Sequence, residues 1–108
     1  MSRNCIITRF SSVNVHYIPF YDVFDNFIQG RDQFRSAHLA LVKESETKED
    51  LVMEGALSGP VDRAVLIFTS REAAEEFAES DPDYLNGLVR SYAIRKWNAV
   101  IGPGVESK

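Results

Sequence analysis

The sequence has one cysteine, Cys5, among 108 residues. A single thiol can neither close an intramolecular disulfide nor build a Cys-rich metal site, which fits a reducing compartment and makes the cytoplasm the expected location. Clustered basic charge is equally scarce. The twelve Lys and Arg residues are scattered, with Arg31 and Arg35 the nearest to a local pair, and the formal net charge is -4 with a pI near 5.1. Contact with a phosphate backbone depends on clustered cations, so nucleic acid is not an expected partner. Long apolar runs are missing too: the most hydrophobic stretch, Ala64 to Phe68, has the length of a strand and not of a membrane span. There is no Ser/His/Asp pattern, CxxC pair or HExxH motif, and the glycines at Gly55 and Gly59 lead into a strand where a phosphate-cradling loop would lead into a helix. A standard hydrolase, a zinc site and a nucleotide site therefore lack support, and neither cofactor nor metal is expected.

What is present is the composition of one globular domain, 44% hydrophobic and 26% charged. The first 21 residues carry Arg3, Arg9 and several serines and no acid before Asp22. That is the composition of an organellar transit peptide, so a mitochondrial location is the alternative to the cytoplasm. Residues 1–12 are read as an extension, disordered or targeting, residues 13–102 as the domain and residues 103–108 as a tail.

Within the domain the pattern reads strand, helix, strand, strand, helix, strand. Val13 to Tyr21 is rich in β-branched and aromatic residues, a first strand in which Pro19 should lie at an edge or a bulge. Phe24 to Gly30 reads as a loop. From Asp32 to about Thr47, Phe34, Ala37, Leu41 and Val42 recur at helical spacing. Leu51 to Leu57 is a short strand, and Ala64 to Phe68, apolar without interruption, is a central strand buried on both faces. Thr69-Ser70-Arg71-Glu72 has the form of a capping box with Thr69 as N-cap of a second helix. Asp81-Pro82 opens a further short turn or helix, Gly87 stops it, and Leu88 to Ile101 is the last strand. Two helices cover one face of a four-stranded sheet, so the apolar residues on the other face need a partner, and a second copy of the chain is the simplest one.

Candidate site residues are few. His38 shares a helical stripe with Phe34 and Leu41, where an imidazole is partly desolvated and responsive to a nearby carboxylate; a structural histidine is the competing reading. Asp81 has a sufficient reason to be an aspartate as the cap of the Asp-Pro turn, yet it lies at the rim of the sheet where it could reach an imidazole. Gly55, Tyr17 and Tyr92 are candidate substrate-binding positions, with core packing the competing role for the two tyrosines.

Several segments resemble one family. Ser70-Arg-Glu-Ala-Ala-Glu-Glu-Phe77, Ser80-Asp-Pro-Asp-Tyr84 and Gly87-Leu-Val-Arg-Ser-Tyr-Ala-Ile-Arg-Lys-Trp-Asn98 look like the characteristic half of the YciI-like (YCII-related) family. Arg35-Ser-Ala-His-Leu39 resembles its Arg-x-x-His-Leu segment, and Met53-Glu-Gly-Ala-Leu57 with Pro60-Val-Asp62 its glycine-containing hairpin. The sequence departs from the pattern in its extension and in lacking the proline that commonly precedes the position of Lys96. The resemblance implies a ferredoxin-like α+β sandwich that pairs into a dimeric α+β barrel, with a site built around a histidine and an aspartate, here His38 and Asp81. The implied chemistry is that of lyases, including loss of chloride from chlorinated hydroxyquinols.

Two functions stay open. One is a cofactor-free acid/base enzyme of lyase or isomerase type acting on a small cyclic or aromatic molecule, with His38 moving a proton and Asp81 orienting it. The other is a non-catalytic homodimer that binds a small molecule in the same pocket. RNA-recognition motifs share the order of elements, but Arg63-Ala-Val-Leu-Ile-Phe68 is mainly aliphatic where they present stacking aromatics.

Overall fold

Alternation of side chains along each extended segment and the spacing of apolar residues along each helical one sort the chain into two layers. In the computed structural model, which describes residues 14–103 and 105, β1 (Val15–Val23) is followed by a short helix α1 (Phe27–Arg31), a 3-10 turn (Asp32–Phe34) and helix α2 (Arg35–Thr47). Strands β2 (Leu51–Ala56) and β3 (Arg63–Phe68) form a hairpin, helices α3 (Arg71–Ser80) and α4 (Pro82–Leu85) follow, and β4 (Val89–Asn98) ends the sheet. The strand order is β2-β3-β1-β4 with every neighbouring pair antiparallel. This is the α+β ferredoxin-like sandwich expected from the sequence. The readings of residues 1–12 as an extension and of Cys5 as a lone thiol lie outside the described residues, as do Val13 and most of the tail.

The core lies between sheet and helices. Tyr21, Leu66, Phe68, Ala74 and Phe77 are buried there, with Phe68 and Phe77 tilted on one another at a ring separation of 5.3 Å. The strand pairings place Tyr21, Ala64 and Tyr92 in one row, and Tyr17, Phe68 and Lys96 in another, all on the helix side. The intervening residues His16, Phe20, Val65, Ile67, Ala93 and Trp97 point to the opposite face, which no described helix covers.

Five expectations need correction. Phe24 to Gly30 is not a loop throughout: Phe27 to Arg31 is helical, because burying Phe27 in the core orders a segment too short to show periodicity. Pro19 lies neither at an edge nor in a bulge, but in an interior strand, paired with Ile94 of β4. The pairing of β1 with β3 passes over Ile18 and Pro19 between Tyr17 and Phe20, as a residue without an N–H donor requires. The N-cap of α3 is Ser70, whose Oγ accepts from the Ala73 N–H at 3.1 Å, while Thr69 Oγ1 turns back toward the carbonyls of Glu49 and Asp50. In α2, Ala37 is exposed and the inward stripe runs through His38 and Ser45. Finally, β3 is central as expected, but only its Ala64, Leu66 and Phe68 face is buried; Val65 and Ile67 are half-buried.

Candidate active site

Asp81 occupies the break between α3 and α4. Its backbone is extended, Pro82 takes the first helical position after it, and its Oδ1 accepts the Asp83 N–H at 3.0 Å. The turn closes at Gly87, which has φ +78, a left-handed conformation that glycine adopts without strain, and the Leu88 N–H donates to the Asp83 carbonyl at 2.9 Å. The cap directs the carboxylate inward, where Asp81 is 0% exposed. Capping and a role in the site are thus not alternatives, since one oxygen serves both.

His38 approaches from α2 and is 5% exposed. Its Nδ1 lies 2.8 Å from Asp81 Oδ1, and the Tyr21 hydroxyl from β1 donates to Asp81 Oδ2 at 3.1 Å. A carboxylate accepting from Tyr21 and from the Asp83 N–H is a settled acceptor, so the His38 proton resides on Nδ1 toward Asp81. The opposite nitrogen, Nε2, lies 3.4 Å from Glu54 Oε1 of β2, and Asp83 Oδ2 is 3.5 Å from Nδ1. Phe77 meets the imidazole edge-on at a ring separation of 6.2 Å.

The charges follow from this packing. Burial works against a charged His38, but hydrogen bonds to Asp81 and Glu54 and the negative charge of Asp81 and Asp83 outweigh it, raising its pKa from 6.5 to about 10. His38 is therefore an imidazolium at neutral pH. Burial raises the pKa of Asp83; the negative charge of Asp81 adds to this, and the positive charges of His38, Arg35 and Arg31 oppose it. The Tyr21 phenol is pushed far above its ordinary value, first by burial and then by Asp81.

The cluster opens into a pocket of about 60 Å³ lined in part by Arg31, Arg35, His38, Glu54, Gly55 and Asp83. Gly55 is thus brought to the site. Tyr17 is not: it lies one face-turn further along β1 beneath Arg71, whose guanidinium is 5.2 Å from the ring centre. Tyr92 packs edge-on against Tyr84 at 5.3 Å and tilted against Tyr21 at 6.0 Å, without lining the pocket itself. The Tyr17 and Tyr92 rings are half-buried and pack against the core.

Three members of the cluster were not identified from the sequence. Tyr21 lies in the first strand on the helix-facing side, Asp83 is two residues beyond the capping aspartate, and Glu54 is a carboxylate inside a strand beside a glycine, a placement that a strand seldom favours. His38, Asp81 and Asp83 offer a nitrogen and carboxylate oxygens within 4.8 Å of one another, a donor set of the kind divalent cations use. Both oxygens of Asp81 already accept hydrogen bonds, so a cation would have to displace Tyr21, His38 or the backbone cap.

No family model matches the chain, and no curated protein matches it in sequence. Solved structures do. The fold is similar to that of the 5-chloro-2-hydroxyhydroquinone dehydrochlorinase of Burkholderia phenoliruptrix AC1100, solved with 2,5-dihydroxybenzoquinone, at TM-score 0.62 and 18% identity over 76% of this chain and 92% of that one. A conserved protein of Methanosarcina mazei Go1 is similar at TM-score 0.52 and 16% identity, over 85% of this chain and 98% of that one. A Pseudomonas aeruginosa protein is similar at TM-score 0.51 and 11% identity, over 81% and 94%. These likenesses define the class by its fold, the ferredoxin-like α+β sandwich that this chain shares with them.

Proposed function

We propose that the chain is a YciI-like, cofactor-free acid/base enzyme of lyase or isomerase type, acting on a small cyclic or aromatic molecule through His38 and Asp81. The observation that carries this reading is the 2.8 Å contact between a nearly buried imidazole and a wholly buried carboxylate, with the other imidazole nitrogen turned to the pocket side beside Glu54. A His-carboxylate pair whose other nitrogen faces the pocket is suited to hold and release one proton in a fixed direction.

The charged state of His38 assigns its direction. An imidazolium is the acid, and Asp81 orients it and stabilises its charge. In an elimination, Glu54 takes the proton of a ring hydroxyl while His38 Nε2 gives its proton to the ring carbon that bears the leaving group, and Glu54 returns the proton it took across the 3.4 Å to Nε2. Glu54 then takes the proton of a second ring hydroxyl, whose electron pair moves through the ring and expels the leaving group as an anion. The substrate has lost one proton and one halide, and the site is restored when Glu54 releases that proton to solvent. His38→Ala should abolish turnover of chlorinated hydroxyquinols measured by chloride release; unchanged release would end this reading.

A second reading, a small-molecule-binding module without catalysis, is favoured by the size of the pocket. About 60 Å³ is well below the roughly 150 Å³ that holds a benzene ring, so a ring would sit at the mouth. A ligand that raises the melting temperature and is recovered unchanged would support it.

The active form is proposed to be a homodimer joined through the open sheet face. Phe20, Val65 and Ile67 lie there beside Trp97, 47% exposed, and Met53, 64% exposed. Its location is proposed to be cytoplasmic. Among the described residues no helix is long and apolar enough to cross a membrane.

A further inference from the structure

The pocket beside His38 has more cationic groups than a histidine and a carboxylate partner require. Arg31, at the end of α1, and Arg35, at the start of α2, are both half-buried and both line it. Arg31 is held against the buried Phe27 ring, its guanidinium carbon 5.4 Å from the ring centre. Among the described residues neither guanidinium makes an ion pair, whereas the exposed Arg90 and Lys48 do. Both act on the Asp83 carboxylate without touching it, and a half-buried guanidinium with no carboxylate in contact has N–H donors left for a ligand.

Arg31 and Arg35 bring two permanent cations to one pocket of a chain whose net charge is -4, whereas the charge of His38 is matched by Asp81 directly behind it. Asp83 adds one more requirement. Its Oδ1 is buried and has no hydrogen-bond partner, so it lacks the donor that a buried carboxylate oxygen requires.

We propose that Arg31 and Arg35 form an anion seat beside His38, and that the ligand is a small hydroxylated anion whose carboxylate or phenolate oxygen is held by the two guanidiniums while a neighbouring hydroxyl faces Asp83. A pocket of about 60 Å³ suits such a head group and leaves the rest of the molecule at the mouth. The guanidinium fork binds a planar oxyanion through paired N–H donors, which fixes orientation as well as charge. This inference rests on the acid/base reading for the place of the site, and it narrows the substrate class; the seat itself does not depend on turnover.

The test uses two probes of nearly one shape, 2-hydroxybenzoate and 2-hydroxybenzamide, titrated into the full chain at about pH 6.5, where only the first is an anion. The expected result is at least about tenfold tighter binding of the anion, falling below roughly threefold in Arg31→Gln/Arg35→Gln and largely retained in Arg31→Lys/Arg35→Lys. Near-ultraviolet circular dichroism confirms that each variant is folded; if the double Gln variant is not, the two single variants take its place. Equal binding of both probes by the wild type, or a preference that survives both Gln substitutions, overturns the seat. Anion preference without chloride release from any hydroxyquinol supports the seat and ends the lyase reading, so the two can fail separately.

Discussion

Each face of the sheet carries something the usual distribution of polarity would not place there. The face covered by helices holds the polar cluster of Tyr21, His38, Asp81 and Asp83, all buried, whereas the face no described helix covers presents Phe20, Val65, Ile67, Met53 and Trp97. Burying charge is costly, and leaving apolar surface in water is costly as well. A fold retains both only where each has a use. The difference is the basis for proposing chemistry on the covered side, where low dielectric strengthens each hydrogen bond, and association on the open side, where apolar area is still available for burial.

The comparison can be broken most sharply at Asp81. Asp81→Ala leaves the His38 imidazole, the Tyr21 hydroxyl and the Asp83 N–H without their acceptor, and the expected loss is about 3–5 kcal/mol, read as a lower midpoint in urea unfolding. A loss under about 1 kcal/mol would mean the covered face does not depend on its polar cluster. On the open face, Trp97→Glu should weaken self-association by about 2 kcal/mol, roughly thirtyfold in Kd, with the far-ultraviolet spectrum unchanged. Analytical ultracentrifugation checks it, and a wild type that is monomeric at all concentrations would remove association from the contrast altogether.

The smallest effect is the one that sharpens the electrostatics. Because the pKa of His38 is raised on folding from 6.5 to about 10, the folded chain binds the proton more tightly than the unfolded one. The resulting stabilisation is fully present below pH 6.5 and is lost as pH rises through about 10, so wild-type stability should decline over that window by on the order of 1–2 kcal/mol. His38→Gln should flatten the decline. An unchanged slope would show that another group titrates there.

Much of the fold is legible along the chain because it depends on local rules. Strand alternation, the helical spacing of Phe34, Leu41 and Val42, the Asp-Pro turn and the glycine stop at Gly87 each need only neighbours in sequence. The errors arise where tertiary contacts override those rules. Phe27 becomes helical because the core accepts its ring, and Ser70 takes the cap that Thr69 could equally have filled because Thr69 is drawn toward Glu49 and Asp50. The site is legible only in part. His38 and Asp81 can be singled out through a family resemblance, whereas Tyr21 and Glu54 have no local feature that marks them, and Asp83 looks like any acid in a first helical turn.

By itself, then, the sequence determines the order of elements, a four-stranded sheet whose helices cover one face, an acidic chain with scattered cations, and two residues worth watching. Tertiary structure decides the rest: the 2.8 Å contact between residues 43 positions apart, the hydroxyl that reaches Asp81 from 60 positions away, and the gathering of Arg31, Arg35 and Glu54 around one imidazole. The physical reason is that secondary structure follows from interactions within a few residues, whereas the protonation state of His38 follows from which charges the fold brings within a few ångströms of it.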